Sequence, residues 1–307
     1  MVYKIAIIGA GQLGSRYLQG LSKVGLSIEI FVVDININSL NLAKKRWGDV
    51  SDNQNIVNYT SNIDSLPMYL NLAIIATNSD SRTYVSSLLL KNRIIDFVIL
   101  EKVLAQSINA IIELKNIFLN KSTTWVNTFF RTIDYFKELK NKSAIGPITL
   151  NVKGGNWGIA CNTIHILDFI LWWTGEQILN INTSDLDKQW KKSKRDKFWE
   201  LNGTLVVNYS SGSIARLVSD DNDSNFIIEI NTKENKWVIN WDKDIENGKI
   251  PMQSDRTHII VENILINNKC GLPTLEQSSQ LHNVFLEAMI SHWNSSNNIN
   301  TNKVPIT

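Results

Sequence analysis

The residues best placed to do chemistry stand near the start of the chain. Gly9-Ala10-Gly11-Gln12-Leu13-Gly14 spells G-x-G-x-x-G directly after an apolar run at 3–8 and before a helical pattern. In that setting Gly9 permits a tight turn, Gly11 lets the backbone approach a diphosphate, and Gly14 allows close helix–strand packing. A diphosphate on the helix N-terminus would meet free N–H groups and the positive end of the helix dipole, with Gln12 and Leu13 in the same loop. Asp34 ends the next apolar run, 28–33, about 20–25 residues on, where a carboxylate accepts from both ribose hydroxyls. It would repel a 2′-phosphate, and Ile35, Asn36 and Ile37 supply no arginine. NAD is therefore expected in preference to NADP.

A second constellation lies further on. Cys161, His165 and Asp168 are spaced four and then three residues apart, on one face of a helix. His165 then either faces a substrate cleft or is a satisfied helix histidine in a buried pair. Cys161 has no paired base at a motif spacing and does not read as a nucleophile. No His/Cys/Asp cluster has metal-ligand spacing, and His258, His282 and His292 are scattered, so no metal is expected. Trp157, Trp172 and Trp173 flank this region. Most of the ten tryptophans read as packing, with Trp157 alone as a candidate for stacking on a sugar.

Apolar runs at 3–8, 28–33, 72–76 and 97–100, with a weaker one at 56–59, alternate with helical patterns. That alternation indicates βαβ units and a doubly wound parallel Rossmann sheet. After about residue 120 the pattern changes. Residues 124–130 read as a strand, 131–142 and 162–173 as helices, and 204–209, 214–218, 226–230 and 237–241 as β runs. Helices near 255–267 and 275–292 follow. This predicts a second α+β domain on a largely antiparallel open sheet. The expected division is 1–122 for the dinucleotide domain and 123–307 for a substrate-binding and oligomerisation domain. The uncovered face of the second sheet suggests a homodimer or homotetramer.

At 307 residues, 43% hydrophobic and 20% charged, the chain has the composition of a folded globular protein. Its formal net charge is +2, and its one basic run, 191–197 (KKSKRDK), reads as a solvated loop. Neither nucleic acid nor an anionic membrane is implied as a partner. Two cysteines suit a reducing compartment. No apolar run approaches the roughly 18–20 residues of a membrane span. The first strand, opening at Val2 or Tyr3, leaves no room for a leader. A cytoplasmic location is expected.

Several segments together resemble the Gfo/Idh/MocA family, the glucose–fructose oxidoreductase or inositol dehydrogenase family. They are Gly9–Gly14, Ala76-Thr77-Asn78, Glu101-Lys102, Arg131 ahead of a G-P-I segment, the His165/Asp168 pair, and the C-terminal LPTLEQSSQLHNVFLEA. The resemblance implies hydride transfer between nicotinamide and a carbon of a sugar, nucleotide sugar or sugar-acid derivative, as part of carbohydrate metabolism. Thr77, Asn78, Glu101 and Lys102 would then face the cofactor. Lys102 would also hydrogen-bond the reacting oxygen, with His165 as acid/base. Arg131, Trp157, Asn162 and Asp168 would line the substrate. A group titrating near neutrality suits both directions of such a reaction.

Three positions depart from the family pattern. Val103 replaces the usual proline, and a cis peptide before a non-proline costs about 3–4 kcal/mol, so Lys102 is expected to be presented differently. Cys161 stands where relatives carry an aspartate, leaving Asn162 or Asp168 to orient the imidazole. Arg82 replaces a usual histidine. These losses keep open a reading in another class, a non-catalytic dinucleotide-binding sensor on the same fold. Retention of Lys102 with His165 favours the enzyme.

Overall fold

Uniformly apolar, β-branched runs suit strands buried on both faces, as in a parallel sheet between helical layers. The computed structural model describes residues 2–50 and 55–307. In it, β1 (Tyr3–Ile8), β2 (Ile28–Val33), β3 (Ile56–Thr60), β4 (Tyr69–Ile75), β5 (Ile94–Leu100) and β6 (Thr123–Val126) form one sheet. Their order is β3-β2-β1-β4-β5-β6, and every neighbouring pair is parallel. Between them in the chain come α1 (Gly14–Leu21), α2 (Ile37–Gly48), α3 (Arg82–Lys91) and α4 (Ile108–Phe118). Ile5, Ile7, Leu72 and Ile74 of the central strands are fully buried. The order reverses between β1 and β4, and sheets of this kind bind ligands beyond the strand ends at such a point.

The later part of the chain has different elements. They are α5 (Asp134–Asn141), β7 (Thr149–Gly155), α6 (Ile159–Thr174), β8 (Ile178–Leu186), β9 (Lys191–Lys192), β10 (Trp199–Glu200) and β11 (Gly203–Tyr209). After these come β12 (Ile214–Asp220), β13 (Ile227–Asn231), β14 (Lys236–Asn240) and α7 (Trp241–Glu246). The large sheet runs β14-β13-β7-β12-β11-β8. It is antiparallel except where β7 meets β12. Residues 124–130 are not one strand: β6 ends at Val126, and a 3-10 turn, Phe129–Thr132, follows.

On β12, Ala215, Leu217 and Ser219 are buried while Ile214 and Arg216 are exposed. The open face is mixed in polarity, with Arg216 in register with Asn151 on one side and Val206 on the other. Helix α6 starts after Gly158 and stops at Gly175, which have φ of 80 and 78, left-handed values that favour glycine. The Glu200 carboxylate accepts from Ala160 N at 2.9 Å, giving a partner to an otherwise orphan N–H of the first turn.

The chain ends through α8 (Gln253–Asn267) and α9 (Leu275–Asn297). It divides into two compact units, the first made of Met1–Leu104, Ile112–Asn127 and Pro251–Leu275. The second comprises Ala105–Ile111, Thr128–Ile250 and Glu276–Thr307. A single boundary at residue 122 is therefore too simple, because α8 packs on α1. A Cβ on Gly20 would lie 2.5 Å from Thr257 Cβ. Lys23 pairs with Asp255 at 2.7 Å, and Glu262 accepts from Gly25 N at 2.6 Å. Periodicity alone does not tell which unit a late helix joins. Among the described residues, no helix is long and apolar enough to cross a membrane.

Candidate functional site

The glycine run in the first unit forms the turn its spacing implies. Gly9 has a φ of 95, and a Cβ there would lie 2.9 Å from both the Ala76 carbonyl carbon and the Thr77 nitrogen. A Cβ on Gly14 would lie 1.8 Å from the Gly9 oxygen, so α1 begins hard against the end of β1. Gly11 is different. Nothing lies within 4 Å of the place its Cβ would occupy. The fold does not need glycine for space there, whereas a ligand approaching the backbone does.

Asp34, half-buried after β2, accepts from Ala10 N at 2.7 Å and Asn36 N at 2.8 Å. A carboxylate offers about four acceptor positions, which leaves capacity for ribose hydroxyls. Arg46 of α2, not singled out from the sequence, braces this loop. It donates to Gln12 O at 2.8 Å, Gln12 Oε1 at 2.5 Å and Ser15 Oγ at 2.6 Å. Desolvation, and then the neighbouring Arg16 charge, lower its pKa. The Thr77 hydroxyl is buried with no partner among the described residues. Open space at Gly11, acceptor capacity at Asp34 and this orphan hydroxyl all fit a dinucleotide.

The loops after β4 and β5 are fastened from below. The exposed Asn78 starts α3, its carbonyl accepting from Ser81 N at 3.3 Å and Arg82 N at 3.1 Å. Arg82 is 1% exposed and donates to the carbonyls of Thr77, Val103 and Leu104. It clamps the Thr77 loop to the Lys102 loop, a role its sequence position does not suggest.

Glu101, expected at the cofactor, turns its side chain inward. It is 3% exposed and accepts from the Tyr17 hydroxyl and from Asn127 Nδ2, the latter at 2.6 Å. Burial, and then the Glu101 charge, push the Tyr17 phenol well above its ordinary range. Asn127 also donates to Gln253 at 3.1 Å, and Gln253 accepts from Arg256 at 2.7 Å. Burial brings Arg256 down to about 10. A carboxylate with a phenol and an amide facing it is satisfied inward, so Glu101 positions the loop. Lys102 is half-buried. The Lys102–Val103 peptide is cis.

The second unit contains a cavity of about 310 Å³. Its aromatic wall comes from Phe129, Phe130, Trp157, Phe226 and Trp241, and Asn162, His165 and Ile166 of α6 complete the lining. His165 is 7% exposed, stacked on Phe130 at 5.6 Å and edge-on to Phe129 at 4.7 Å. Trp157 Nε1 donates to Val218 O at 2.8 Å, and Asn162 Nδ2 to Trp157 O at 2.7 Å. Helix and wall are tied by these two bonds. Cys161 Sγ lies 3.7 Å from Asn162 Oδ1. Trp172 packs under the Lys140 ammonium, 4.6 Å from its ring centroid, and Trp173 against Phe169 at 5.3 Å.

Arg131 and Asp168, both expected to touch substrate, bind each other. The guanidinium forks onto the carboxylate at 2.9 and 2.5 Å, with side chains 10% and 1% exposed. Burial pushes the Asp168 carboxyl up to about 6, against the pull of the Arg131 charge and the Thr128 hydroxyl. The Arg131 guanidinium holds both oxygens of that carboxyl. A forked pair of this kind positions α6 against the turn bearing Phe129 and Phe130. Those two aromatics adjoin Arg131 in sequence and could have been suspected, but Phe226 and Trp241 carry no sequence mark. Among the described residues, no cluster could hold a metal.

No family model matches this chain, and no curated protein resembles it in sequence. Solved structures do share its fold. Myo-inositol 2-dehydrogenase from Lactobacillus plantarum superposes with a TM-score of 0.71 at 16% identity, over 96% of this chain and 98% of the other. Myo-inositol dehydrogenase from Lactobacillus casei, solved with NAD(H) and myo-inositol, gives 0.69 at 15% identity over 99% of each chain. UDP-N-acetylglucosamine 3-dehydrogenase from Acidithiobacillus ferrooxidans gives 0.68 at 12% identity, over 97% of this chain and 96% of the other. At these identities the likeness is one of fold.

Proposed function

We propose that this chain is a cytoplasmic NAD-dependent oxidoreductase that transfers a hydride between nicotinamide and a carbon of a sugar, nucleotide sugar or sugar-acid derivative. The observation that carries this reading is the open space at Gly11. It lies in a loop whose other two glycines are required by packing, beside a carboxylate with acceptor capacity left. A fold shared over its whole length with a dehydrogenase solved with NAD(H) supports it, and a count of only two cysteines suits the compartment.

When bound, the nicotinamide supplies a hydride acceptor for the carbinol carbon. The chain's own residues handle the rest. His165 takes the hydroxyl proton as the C–H bond breaks and the carbonyl forms, and returns it in the reverse direction. Lys102 hydrogen-bonds the reacting oxygen, and its ammonium favours the charge that develops there. Asp34 selects NAD over NADP. Thr77, Arg82 and Glu101 hold the loops that present these groups.

Lys102→Ala and His165→Ala separate chemistry from cofactor binding. NADH affinity, read by fluorescence titration, should be unchanged, while turnover falls by about 10²–10⁴, the usual worth of a positioned acid or base. Full turnover by both variants on an identified substrate would refute the assignment. If no sugar-type substrate exchanges hydride with bound cofactor, a dinucleotide-binding sensor replaces the enzyme.

A further inference from the structure

We propose that the cavity of the second unit selects an uncharged ring alcohol, or the matching ketone, with a broad apolar face. A deoxygenated or O-alkylated monosaccharide has this character, whereas a fully hydroxylated cyclitol or a sugar acid does not. This rests on the oxidoreductase reading and narrows its substrate.

The cavity walls carry the argument. Trp157 meets Phe226 at 5.3 Å between centroids, Phe226 meets Trp241 at 5.6 Å, and Trp241 meets Phe130 at 5.1 Å. These rings form one continuous arc. Among the lining residues, polar side-chain groups come only from Asn162, His165 and the indole N–H groups. One indole N–H and one of the two Asn162 amide N–H groups already serve Val218 O and Trp157 O. A ring with a hydroxyl on every carbon would lose water at several of them and find few partners, which costs more than the ring contacts return. A ring with carbon exposed on one face gains on the aromatic wall and needs partners only at the α6 end.

Charge points the same way. Among the described residues, no lysine, arginine, aspartate or glutamate lines the cavity. The nearest candidate countercharge on the same helix and turn, Arg131, is committed to Asp168. A carboxylate entering here would lose hydration without meeting a cation from the lining, since Lys102 serves the reacting oxygen. At about 310 Å³ the cavity lies at the lower end of the roughly 300–1,000 Å³ of ligand pockets, room for one ring.

Calorimetric titration of the full-length protein saturated with NADH tests this. The three probes are a methyl 6-deoxyhexopyranoside, myo-inositol and glucuronate. The deoxypyranoside should bind at least about tenfold more tightly than either of the others, a difference of about 1.4 kcal/mol. Trp241→Ala and the milder Phe226→Leu should reduce that preference to threefold or less, in variants whose thermal midpoints confirm folding. Tighter binding of myo-inositol or glucuronate, binding of none of the three, or a preference untouched by both variants would overturn the proposal. Turnover of the same probes distinguishes the two readings. A preferred ligand that never exchanges hydride fails the oxidoreductase reading and leaves the selectivity standing. Oxidation of myo-inositol as the best substrate does the reverse.

Discussion

In the first unit, six consecutive residues and one carboxylate shape most of the candidate dinucleotide site. In the second, the cavity draws on Phe129, Trp157, His165, Phe226 and Trp241, which only the folded sheet brings together. The polar groups differ as well. Asp34 keeps acceptor capacity after its two backbone bonds, while Arg131 and Asp168 are forked onto each other. A backbone that must bend sharply and pack closely can use only glycine, so it leaves a fixed mark in the sequence. A wall that must only be flat and apolar can use any aromatic residue, and so leaves none.

The largest effect that could break this comparison is on stability. If Arg131 and Asp168 are architectural, Arg131→Ala leaves a carboxylate that is 1% exposed without its partner. Removing one member of a buried pair costs about 3–5 kcal/mol. Urea unfolding should show a loss of that size, and Arg131→Met with Asp168→Leu should recover most of it. A loss below about 1 kcal/mol, accompanied by a raised KM, would return Arg131 to the substrate.

The same contrast explains what could be read in advance. The parallel sheet was legible because its strands are apolar throughout, and Gly9–Gly14 with Asp34 because their spacing is local. The chain's return through α8 was not, since the contact of Thr257 with Gly20 joins residues with no shared pattern. Lys102 and His165 were singled out through resemblance, but nothing in their spacing disclosed the inward turn of Glu101 or the clamp made by Arg82. A charged side chain reads alike whether it faces a ligand or a buried partner. Asp168 is the example: a helix face was predictable for it, but its pairing with Arg131 was not.

A smaller effect sharpens the comparison within the glycine loop. Gly14→Ala places a methyl 1.8 Å from the Gly9 oxygen, so α1 must shift away from β1. Forced overpacking of this kind costs about 1–3 kcal/mol, and thermal unfolding should register it. NADH binding should fall as well, because the helix N-terminus moves. An unchanged melting midpoint would mean that Gly14 is not needed for the helix–strand contact.

The smallest effect on stability comes at Gly11, and here stability and binding should part in sign. Gly11 lies outside the left-handed region, and nothing stands within 4 Å of its absent Cβ. Alanine fits there without strain and restricts the unfolded chain, which is worth about 0.4–1 kcal/mol in favour of folding. Gly11→Ala should therefore melt at the same temperature as the parent or slightly above it. A ligand that approaches the loop at this point would meet the new methyl, and overpacking of about 1–3 kcal/mol weakens binding by roughly five- to 150-fold. Fluorescence titration with NADH reads the second quantity, and a melting curve without ligand the first. Lower stability with unchanged affinity would mean that the gap at Gly11 belongs to the fold. Raised stability with weakened affinity is the result that only a reserved ligand space produces.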